Sequence, residues 1–317
     1  MKAVLLDWAT MGPDLDITEL RALLPDLEIY DDTTDDQVAD RIAGAEIVLG
    51  NKVLISESLF DNAPEMRFIG LTATGTDNVD LVAAKEHGVA VANIRAYCSR
   101  SVAEHVFGCL LSLAHSLGPY TADVRAGEWQ KAENFCMLTY PINELSAMTL
   151  GIVGYGELGK CVAGIAKAFG MDIIIAARPG SDVAPEGRVL MNELLTRSDA
   201  ISLHCPLNDV TRGLFGATEF KAMKNTAILI NTARGGLVDS AALANALRDG
   251  DIAAAAVDVL PDEPPIGGDP LLDYDGDNLM VTPHIAWGTL TARQNAIDEL
   301  AANIAAFLEG RERCRVV

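Results

Sequence analysis

The chain has 317 residues, half of them hydrophobic, which is enough for a large buried core and, at about 150 residues per domain, for two domains. This composition excludes an intrinsically disordered chain. Its 24 Lys and Arg against 45 Asp and Glu give a formal net charge of −21, without a basic cluster that would neutralise a nucleic acid backbone. Nucleic acid is therefore not expected as a partner, and any site for an anion must depend on a few local cations such as Arg178 or Arg234.

The sequence shows neither a secretion signal nor a membrane span. The residues before Asp7 lack the apolar core and small-residue cleavage site of a signal peptide. Residues 106–122 carry no Lys, Arg, Asp or Glu, but they include His115, Gly118 and Pro119 and fall short of the roughly 20 apolar residues of a span. We therefore expect a cytoplasmic protein that is not bound to a membrane.

The cysteines indicate neither a metal centre nor a disulfide framework. They lack CxxC spacing, and most lie in apolar stretches, as small reduced core residues do. They are Cys98, Cys109, Cys136, Cys161, Cys205 and Cys314.

Short apolar runs alternate with helical patterns along the chain. The predicted strands of the first part are residues 3–6, 28–30, 47–49, 68–71 and 89–91, and those of the second part are 149–153, 172–176, 200–203, 227–231, 253–257 and 279–281. Acidic residues begin and glycines end the helices between them, as at 36–43 and 80–87. The alternation predicts an α/β fold with doubly wound parallel sheets, the second of them with the six strands of a dinucleotide-binding sheet.

The order of these elements predicts one domain inserted into another. A long apolar helix is expected at 99–117, followed by an irregular arm at 118–146 of the kind that packs on a partner subunit. The C-terminal helix, 289–309, is expected to return to the first domain and cover its open face. The prediction is a discontinuous substrate domain, 1–97 plus 286–317, and a dinucleotide-binding domain, 98–285.

A glycine-rich loop follows the strand at 149–153 and opens a helix predicted at 160–169. In this context Gly154 permits the tight turn, Gly156 lets backbone N–H groups reach a pyrophosphate, and Gly159 allows the helix to pack on the strand. The loop therefore predicts a site for a dinucleotide cofactor.

The end of the next strand indicates which dinucleotide. An NAD site presents an acidic residue to the ribose 2′-hydroxyl about 20 residues beyond the glycines. Here Ala177 occupies that place and Arg178 follows, with a guanidinium suited to a 2′-phosphate or to stacking on adenine. The sequence thus favours NADP(H) over NAD(H).

Polar residues at the ends of the last three strands suit the reduction of a 2-oxo acid. That reaction needs a cation to hold the carboxylate and polarise the carbonyl, and an acid to protonate the developing alkoxide. Arg234 and His284 fit these needs, and Glu263 is the candidate carboxylate that would favour the imidazolium form of the histidine. No metal ion is needed.

At this point the chain resembles the D-2-hydroxyacid dehydrogenases, in particular their glycerate dehydrogenase and hydroxypyruvate reductase branch. The matching stretches are ATGTDNVD (73–80), SVAEH (101–105), LGIVGYGELG (150–159), HCPL (204–207), NTARGGLVD (231–239), AVDV (256–259), EP (263–264) and TPH (282–284). Glu157 departs from the family pattern, because a basic or neutral residue is more usual beside the pyrophosphate.

The resemblance implies two Rossmann-like domains with the active site between them, and a homodimer formed through the cofactor domain and the arm after Gly118. It implies Arg234, Glu263 and His284 as catalytic residues and Asp258 near the nicotinamide amide. The residues assigned to the cofactor are Thr74, Val102, Gly154, Gly156, Glu157, Leu158, Gly159, Arg178, His204, Cys205, Pro206, Thr211, Thr232, Ala233, Asp258 and Ala286. Those assigned to the substrate are Asn51, Lys52, Ala73, Thr74, Gly75, Arg234, His284 and Trp287, the last either covering the substrate or packing at the hinge.

Several functions fit this pattern. The leading one is the reversible reduction of hydroxypyruvate or glyoxylate to the D-2-hydroxy acid. A phosphorylated acid such as 3-phosphoglycerate is less favoured, because Lys52 is the only base near Asn51 and Thr74. D-lactate is another candidate substrate. A nucleotide-sensing binding protein of the corepressor type, built on the same fold, is the alternative from another class.

Overall fold

The computed structural model describes residues Met1 to Val317, which divide into two compact units. One unit consists of Met1–Cys98 and Gly288–Val317, and the other of Ser99–Trp287. The predicted boundaries after residues 97 and 285 lie one and two residues before these.

All eleven strands lie within one residue, at either end, of the runs predicted for them. The strands are β1 (Ala3–Leu5), β2 (Leu27–Ile29), β3 (Ile47–Gly50), β4 (Phe68–Leu71), β5 (Ala90–Ala92), β6 (Thr149–Val153), β7 (Asp172–Ile175), β8 (Ala200–Leu203), β9 (Ile228–Asn231), β10 (Ala254–Val257) and β11 (Leu279–Val281). The apolar runs predict the strands well because most of these strands are buried on both faces, as in parallel sheets covered by helices.

The α-helices lie between successive strands, except for the last helix, which follows β11 and belongs to the first unit. They are α1 (Thr18–Leu23), α2 (Asp35–Ile42), α3 (Glu57–Asn62), α4 (Leu81–Glu86), α5 (Ser99–Ala114), α6 (Leu117–Arg125), α7 (Glu128–Lys131), α8 (Glu157–Ala168), α9 (Met191–Arg197), α10 (Ala217–Ala222), α11 (Ser240–Asp249) and α12 (Leu290–Leu308). None of them is apolar over a length that would cross a membrane.

The first unit contains a five-stranded parallel sheet in the order β2-β1-β3-β4-β5. Helix α12 packs against α1 and β4, and its Leu300 and Ile304 share a buried cluster with Ala3 and Leu5. The packing is close, since a Cβ on Gly70 would lie 2.8 Å from Leu300 Cδ1. The C-terminal helix thus completes the core of the first unit.

The second unit contains a six-stranded parallel sheet in the order β11-β10-β9-β8-β6-β7. The strand order reverses between β6 and β8, and ligands of open α/β sheets bind at such a point, beyond the carboxyl ends of the strands. Together the two sheets confirm the predicted doubly wound α/β fold.

The prediction of an irregular arm after Gly118 is wrong in part. Helix α5 ends at Ala114, because Ser116 adopts a left-handed conformation at φ 52°, and α6 begins directly at Leu117. Pro119 is tolerated because it lies in the first turn of α6, where a backbone N–H has no intrahelical partner. The arm is therefore two short helices, α6 and α7, followed by an irregular return.

Two further expectations need correction. Helix α8 begins at Glu157 instead of residue 160, because the helical turn starts directly after the extended backbone of Gly156. The cysteines are less buried than their apolar neighbours suggest: only Cys109 and Cys205 are buried, and Cys136 is exposed. A local apolar stretch does not determine which face of a helix or loop its cysteine occupies.

Candidate active site

Three neighbouring strands of the second unit end level with one another. In the sheet register Val257 of β10 lies between Asn231 of β9 and Val281 of β11. The segments after these strands carry Arg234, Asp258 with Glu263, and His284. Strand pairing therefore places residues that are 50 positions apart in sequence at one edge of one sheet.

His284 and Glu263 form a direct pair at this edge. Nδ1 of His284 lies 2.6 Å from Oε2 of Glu263, and the two side chains are 28% and 33% exposed. The other carboxylate oxygen of Glu263 accepts a hydrogen bond from the backbone N–H of Leu260, at 2.9 Å, which holds the carboxylate in its own loop. The pair fixes the imidazole through Nδ1 and leaves Nε2 as the ring nitrogen available to a substrate.

The backbone that carries His284 is held by Asp258, whose side chain is 1% exposed. Its Oδ1 accepts hydrogen bonds from Thr282 Oγ1 at 2.5 Å and from Ile285 N–H at 2.9 Å, and its Oδ2 accepts from Ala286 N–H at 2.8 Å. His284 itself has a positive φ of 54°, an uncommon conformation for a residue other than glycine. The carboxylate that the family resemblance places near the nicotinamide is thus bonded to the protein's own segment from Thr282 to Ala286.

Two residues of helix α5, which belong to the SVAEH stretch but received no role in the sequence analysis, brace the same segment. Ser101 Oγ donates to the carbonyl of Ala286 at 2.7 Å, and His105 Nε2 lies 3.2 Å from Thr282 Oγ1 and 3.9 Å from Asp258 Oδ1. The two side chains are four positions apart, so they share one face of the helix. The four-residue spacing of Ser101 and His105 within the SVAEH stretch is the sequence feature that indicates their shared role.

Arg234 follows β9 in a loop that is fixed by Asn231. The Asn231 side chain accepts from Ala233 N–H at 3.1 Å and donates to the carbonyl of Arg234 at 2.9 Å. The guanidinium of Arg234 is exposed and bonds only the carbonyl of Ala233. A Cβ on Gly235 would lie 2.0 Å from the Leu260 carbonyl carbon, so the Arg234 loop packs directly on the loop that carries Glu263.

The glycine loop has the backbone geometry that its sequence predicts. Gly154 has φ 95°, and a Cβ there would lie 2.5 Å from the His204 backbone, while a Cβ on Gly159 would lie 2.2 Å from the Gly154 carbonyl oxygen. These two glycines are required by the protein itself. A Cβ on Gly156, in contrast, would meet nothing within 4 Å, so no contact within the protein requires a glycine at this position.

Unsatisfied buried atoms flank this loop and suit a dinucleotide. Thr232 Oγ1, after β9, and His204 Nδ1, after β8, are buried without a hydrogen-bond partner, and His204 Nε2 lies 2.9 Å from Ser202 Oγ. Burial lowers the pKa of His204 to about 4, so its ring is neutral near pH 7. Since buried polar groups are rarely left unpaired, the two atoms together with the open space at Gly156 fit a bound cofactor.

The end of β7 carries Arg178 in a tight turn. The N–H of Ser181 donates to the Arg178 carbonyl at 3.0 Å, with Pro179 and Gly180, at φ 80°, in the central positions of a type II turn. Ala177 is buried and Arg178 is exposed. The expected acidic residue is therefore absent from this strand end, as the sequence indicates.

The other predicted cofactor residues differ in what they expose. Val102, Cys205 and Ala286 are buried, Leu158 and Ala233 are half-buried, and Pro206 is exposed. Thr211 Oγ1 donates to the Pro206 carbonyl at 2.7 Å and accepts from Asn208 N–H at 2.8 Å, so this hydroxyl is committed to its own loop. Glu157, the departure from the family pattern, is exposed, and its Oε1 accepts from Ser99 Oγ at 2.6 Å.

In the first unit, the loop after β3 is shaped by Asp7, a residue that the sequence does not single out. Its buried carboxylate accepts hydrogen bonds from three successive backbone N–H groups, those of Asn51 at 2.9 Å, Lys52 at 2.6 Å and Val53 at 3.2 Å. The side chain of Asn51 is buried and donates to Thr10 Oγ1, whereas that of Lys52 is exposed. Of these two predicted substrate residues, Lys52 therefore presents its side chain at the surface of the unit.

The second predicted substrate loop, Ala73 to Gly75, is held by the segment after β5. Ile94 N–H donates to the Ala73 carbonyl at 3.1 Å, Asn93 Nδ2 donates to the Thr74 carbonyl at 2.7 Å, and Thr74 Oγ1 donates to the Ile94 carbonyl at 3.0 Å. Thr74 is exposed and its two neighbours are half-buried. In the second unit, Trp287 is half-buried just beyond Ala286.

Known proteins resemble this chain over most of its length. The family model described as D-isomer specific 2-hydroxyacid dehydrogenase, NAD binding domain, matches residues 107–286. This chain belongs to the D-isomer specific 2-hydroxyacid dehydrogenase family. A glycerate dehydrogenase of Methylorubrum extorquens is 45% identical over 89% of this chain and 89% of its own length. A hydroxypyruvate reductase of Blautia hydrogenotrophica is 37% identical over 98% of both chains.

The solved structures include an acyclic imino acid reductase in complex with NADPH and D-Arg. It superposes with a TM-score of 0.86 at 26% identity and full coverage of both chains. Membership in the D-isomer specific 2-hydroxyacid dehydrogenase family confirms the predicted enzyme class, an NAD(P)-dependent oxidoreductase of small 2-hydroxy or 2-oxo acids.

The His284–Glu263 pair predicts the effect of removing the carboxylate charge. In Glu263→Gln, kcat for reduction of a 2-oxo acid by this dehydrogenase should fall by about a hundredfold, because the imidazolium loses the charge that stabilises it. KM should change much less, since Glu263 is expected to act through the histidine. Steady-state kinetics at neutral pH measure both constants.

Asp262→Asn is the matched control, because it removes an exposed charge from the same loop. Its kcat should stay near that of the original chain. Equal losses in the two variants would contradict a specific role for the pair.

Proposed function

We propose that this chain reduces hydroxypyruvate or glyoxylate to the corresponding D-2-hydroxy acid, reversibly, at the site formed by Arg234, Glu263 and His284. The observation that carries the proposal is the 2.6 Å pair of His284 and Glu263, in a loop on which the Arg234 loop packs. It is supported by the names of the two relatives, glycerate dehydrogenase and hydroxypyruvate reductase.

Each group of the site has one task in this reaction. A bound nicotinamide cofactor supplies the hydride that reduces the carbonyl carbon. Arg234 holds the substrate carboxylate with its planar fork and polarises the carbonyl oxygen. His284 donates a proton from Nε2 to that oxygen as the alcohol forms, and Glu263 stabilises the imidazolium through Nδ1. In the oxidative direction the same imidazole, now neutral, accepts the proton from the alcohol.

The proposed substrate contacts in the first unit are the loops around Asn51 and Lys52 and around Ala73, Thr74 and Gly75. Asp7 and Asn93 hold the backbones of these loops in place. Lys52 is the only Lys or Arg within either loop. A small acid with a single carboxylate therefore suits these loops better than a phosphorylated one.

Replacing Arg234 tests the assignment of the substrate class. Arg234→Ala should lower kcat/KM for hydroxypyruvate by about 10² to 10³-fold, with KM raised, because the carboxylate loses its charged donor. Arg234→Lys should recover only part of the loss, since a lysine keeps the charge without the bidentate geometry. Kinetics with hydroxypyruvate, glyoxylate, pyruvate and 3-phosphoglycerate would rank the substrates.

Arg197→Ala is a suitable control, because Arg197 is paired with Glu193 on helix α9 of the same unit. Unchanged kinetics in Arg234→Ala would remove the proposed role. A wild-type chain inert toward all four acids would favour a nucleotide-sensing protein instead.

We further propose that NADP(H) is the preferred cofactor. Ala177 stands where an NAD site needs an acid, and the exposed Arg178 is held at the same strand end by its turn. The proposed preference is a charge effect, because only NADP(H) carries a 2′-phosphate that the guanidinium of Arg178 can bind.

The Michaelis constants for NADPH and NADH test this preference directly. KM for NADPH should be lower, and Arg178→Ala should raise it by about tenfold while changing KM for NADH little, as expected for one charge-assisted hydrogen bond. A lower KM for NADH in the wild-type chain would refute the preference.

We also propose a homodimer formed through the second unit and its arm. Hydrogen bonds between Ser116 and Pro141, and between Tyr120 and Tyr140, fold the arm back on itself. Apolar side chains of the arm nevertheless face outward, including Phe135 at 90% and Leu138 at 78% exposure. Apolar side chains exposed together in this way are typical of protein interfaces.

Light scattering should therefore give a mass near twice the 33.7 kDa of the chain. The double substitution Phe135→Asp and Leu138→Asp should shift the protein toward the monomer, because it places charges in the interface. Ile266→Asp is the control, since Ile266 is 91% exposed outside the arm. A monomeric wild-type chain would contradict the proposal.

A further inference from the structure

A second arginine lies at the strand end where Arg178 is found. Arg188 is ten residues further along the chain, outside every motif recognised in the sequence. Its segment pairs with β7 as a short additional edge: Val189 N–H donates to the Ile175 carbonyl at 2.9 Å, and Ala177 N–H donates to the Val189 carbonyl at 2.7 Å. Arg178 and Arg188 are therefore each one residue from the same backbone hydrogen bond.

The side chain of Arg188 reaches from this edge to the glycine loop. Its Nη1 donates to the carbonyl of Ala176 at 3.1 Å, and its guanidinium carbon lies 5.6 Å from the centroid of the Tyr155 ring, in the loop between Gly154 and Gly156. In a dinucleotide-binding unit the adenosine ribose lies between the glycine loop and the end of the strand that follows it. Arg188 spans these two elements.

The guanidinium retains most of its binding capacity in this position. An arginine has five N–H donors, and the bond to Ala176 uses one of them. No carboxylate forms an ion pair with Arg188, although the chain has 45 acidic residues. The contact with the Tyr155 ring and the bond to Ala176 restrict the freedom of the side chain, which reduces the entropy lost when it binds an anion.

We propose that Arg188 is a specificity-determining residue that, together with Arg178, binds the 2′-phosphate of the cofactor. The inference rests on the proposed preference for NADP(H) and identifies a second residue that produces it. In this proposal, two guanidiniums from neighbouring backbone segments bind a doubly charged phosphate. A 2′-hydroxyl gains little from the same two charges.

Equilibrium binding of two cofactor fragments tests the role without any catalytic turnover. The probes are 2′,5′-ADP and 5′-AMP, which differ only in the 2′-phosphate, and calorimetry gives Kd for each. In Arg188→Ala, Kd for 2′,5′-ADP should rise by about tenfold or more, and Kd for 5′-AMP by less than about threefold. Arg188→Lys should retain part of the preference, because it keeps the charge.

Arg248→Ala is the matched control. Arg248 belongs to the same unit, lies 5.9 Å from the Tyr274 ring and bonds Asn245, so it has a similar environment away from the cofactor loop. Its substitution should change neither Kd.

The outcomes distinguish the role of Arg188 from the proposed preference for NADP(H). If wild-type protein binds the two fragments equally well, the NADP(H) preference is refuted and the role of Arg188 with it. If the wild type prefers 2′,5′-ADP and Arg188→Ala keeps that preference, only Arg188 is refuted. Equal weakening of both fragments would also overturn the inference, since it would indicate stacking on adenine or a general loss of structure.

Discussion

The buried carboxylate of Asp258 is the interaction on which the catalytic edge of the second unit depends. A charge that is 1% exposed is costly unless its oxygens are saturated with hydrogen bonds, and here three donors come from the segment between Thr282 and Ala286. Two of the donors are backbone N–H groups, so this segment cannot shift without leaving a buried charge unpaired. The same bonds stabilise the positive φ of His284, which otherwise costs of the order of 1 kcal/mol. The position of the imidazole beside Glu263 thus follows from a residue that need not touch the substrate.

Backbone packing joins the remaining groups to this anchor. Gly235 has space only for a hydrogen against the backbone of Leu260, and Leu260 N–H in turn holds Glu263. The Arg234 loop and the Glu263 loop therefore behave as one packed layer above β9 and β10. A similar contact operates at the cofactor loop, where Gly154 lies against His204. Glycines at these places allow the loops after neighbouring strands to approach closely. A sequence motif gives the spacing of these glycines but not the contacts that require them.

The sequence was sufficient for the sheets, because each buried parallel strand is a short apolar run between turn residues. It was also sufficient for Arg234, Glu263 and His284, because those residue types at successive strand ends suit one reaction. It did not reveal Asp7 or Arg188, whose roles depend on pairings with distant segments that no local pattern encodes. The helices of the arm were missed for a related reason, since Gly118 and Pro119 suggest a break but lie in a first turn that tolerates them. Local patterns thus predict elements and strand ends, whereas long-range hydrogen bonds decide which side chains hold them.

Three arginines of this acidic chain lie near the carboxyl ends of strands in the second sheet without an ion pair. Arg197, Arg293, Arg311 and Arg313 are paired with carboxylates, as expected where acids outnumber bases almost two to one. Arg178, Arg188 and Arg234 have no such partner. Arg178 and Arg234 follow the carboxyl ends of β7 and β9, and Arg188 directly precedes the short segment that pairs with the end of β7. An ion pair with a carboxylate would cancel the field of each of these arginines. Because they are unpaired, they can attract an anion that the acidic surface otherwise repels. The charges of these three arginines therefore stay uncompensated where, in the proposals above, a cofactor phosphate and a substrate carboxylate are bound.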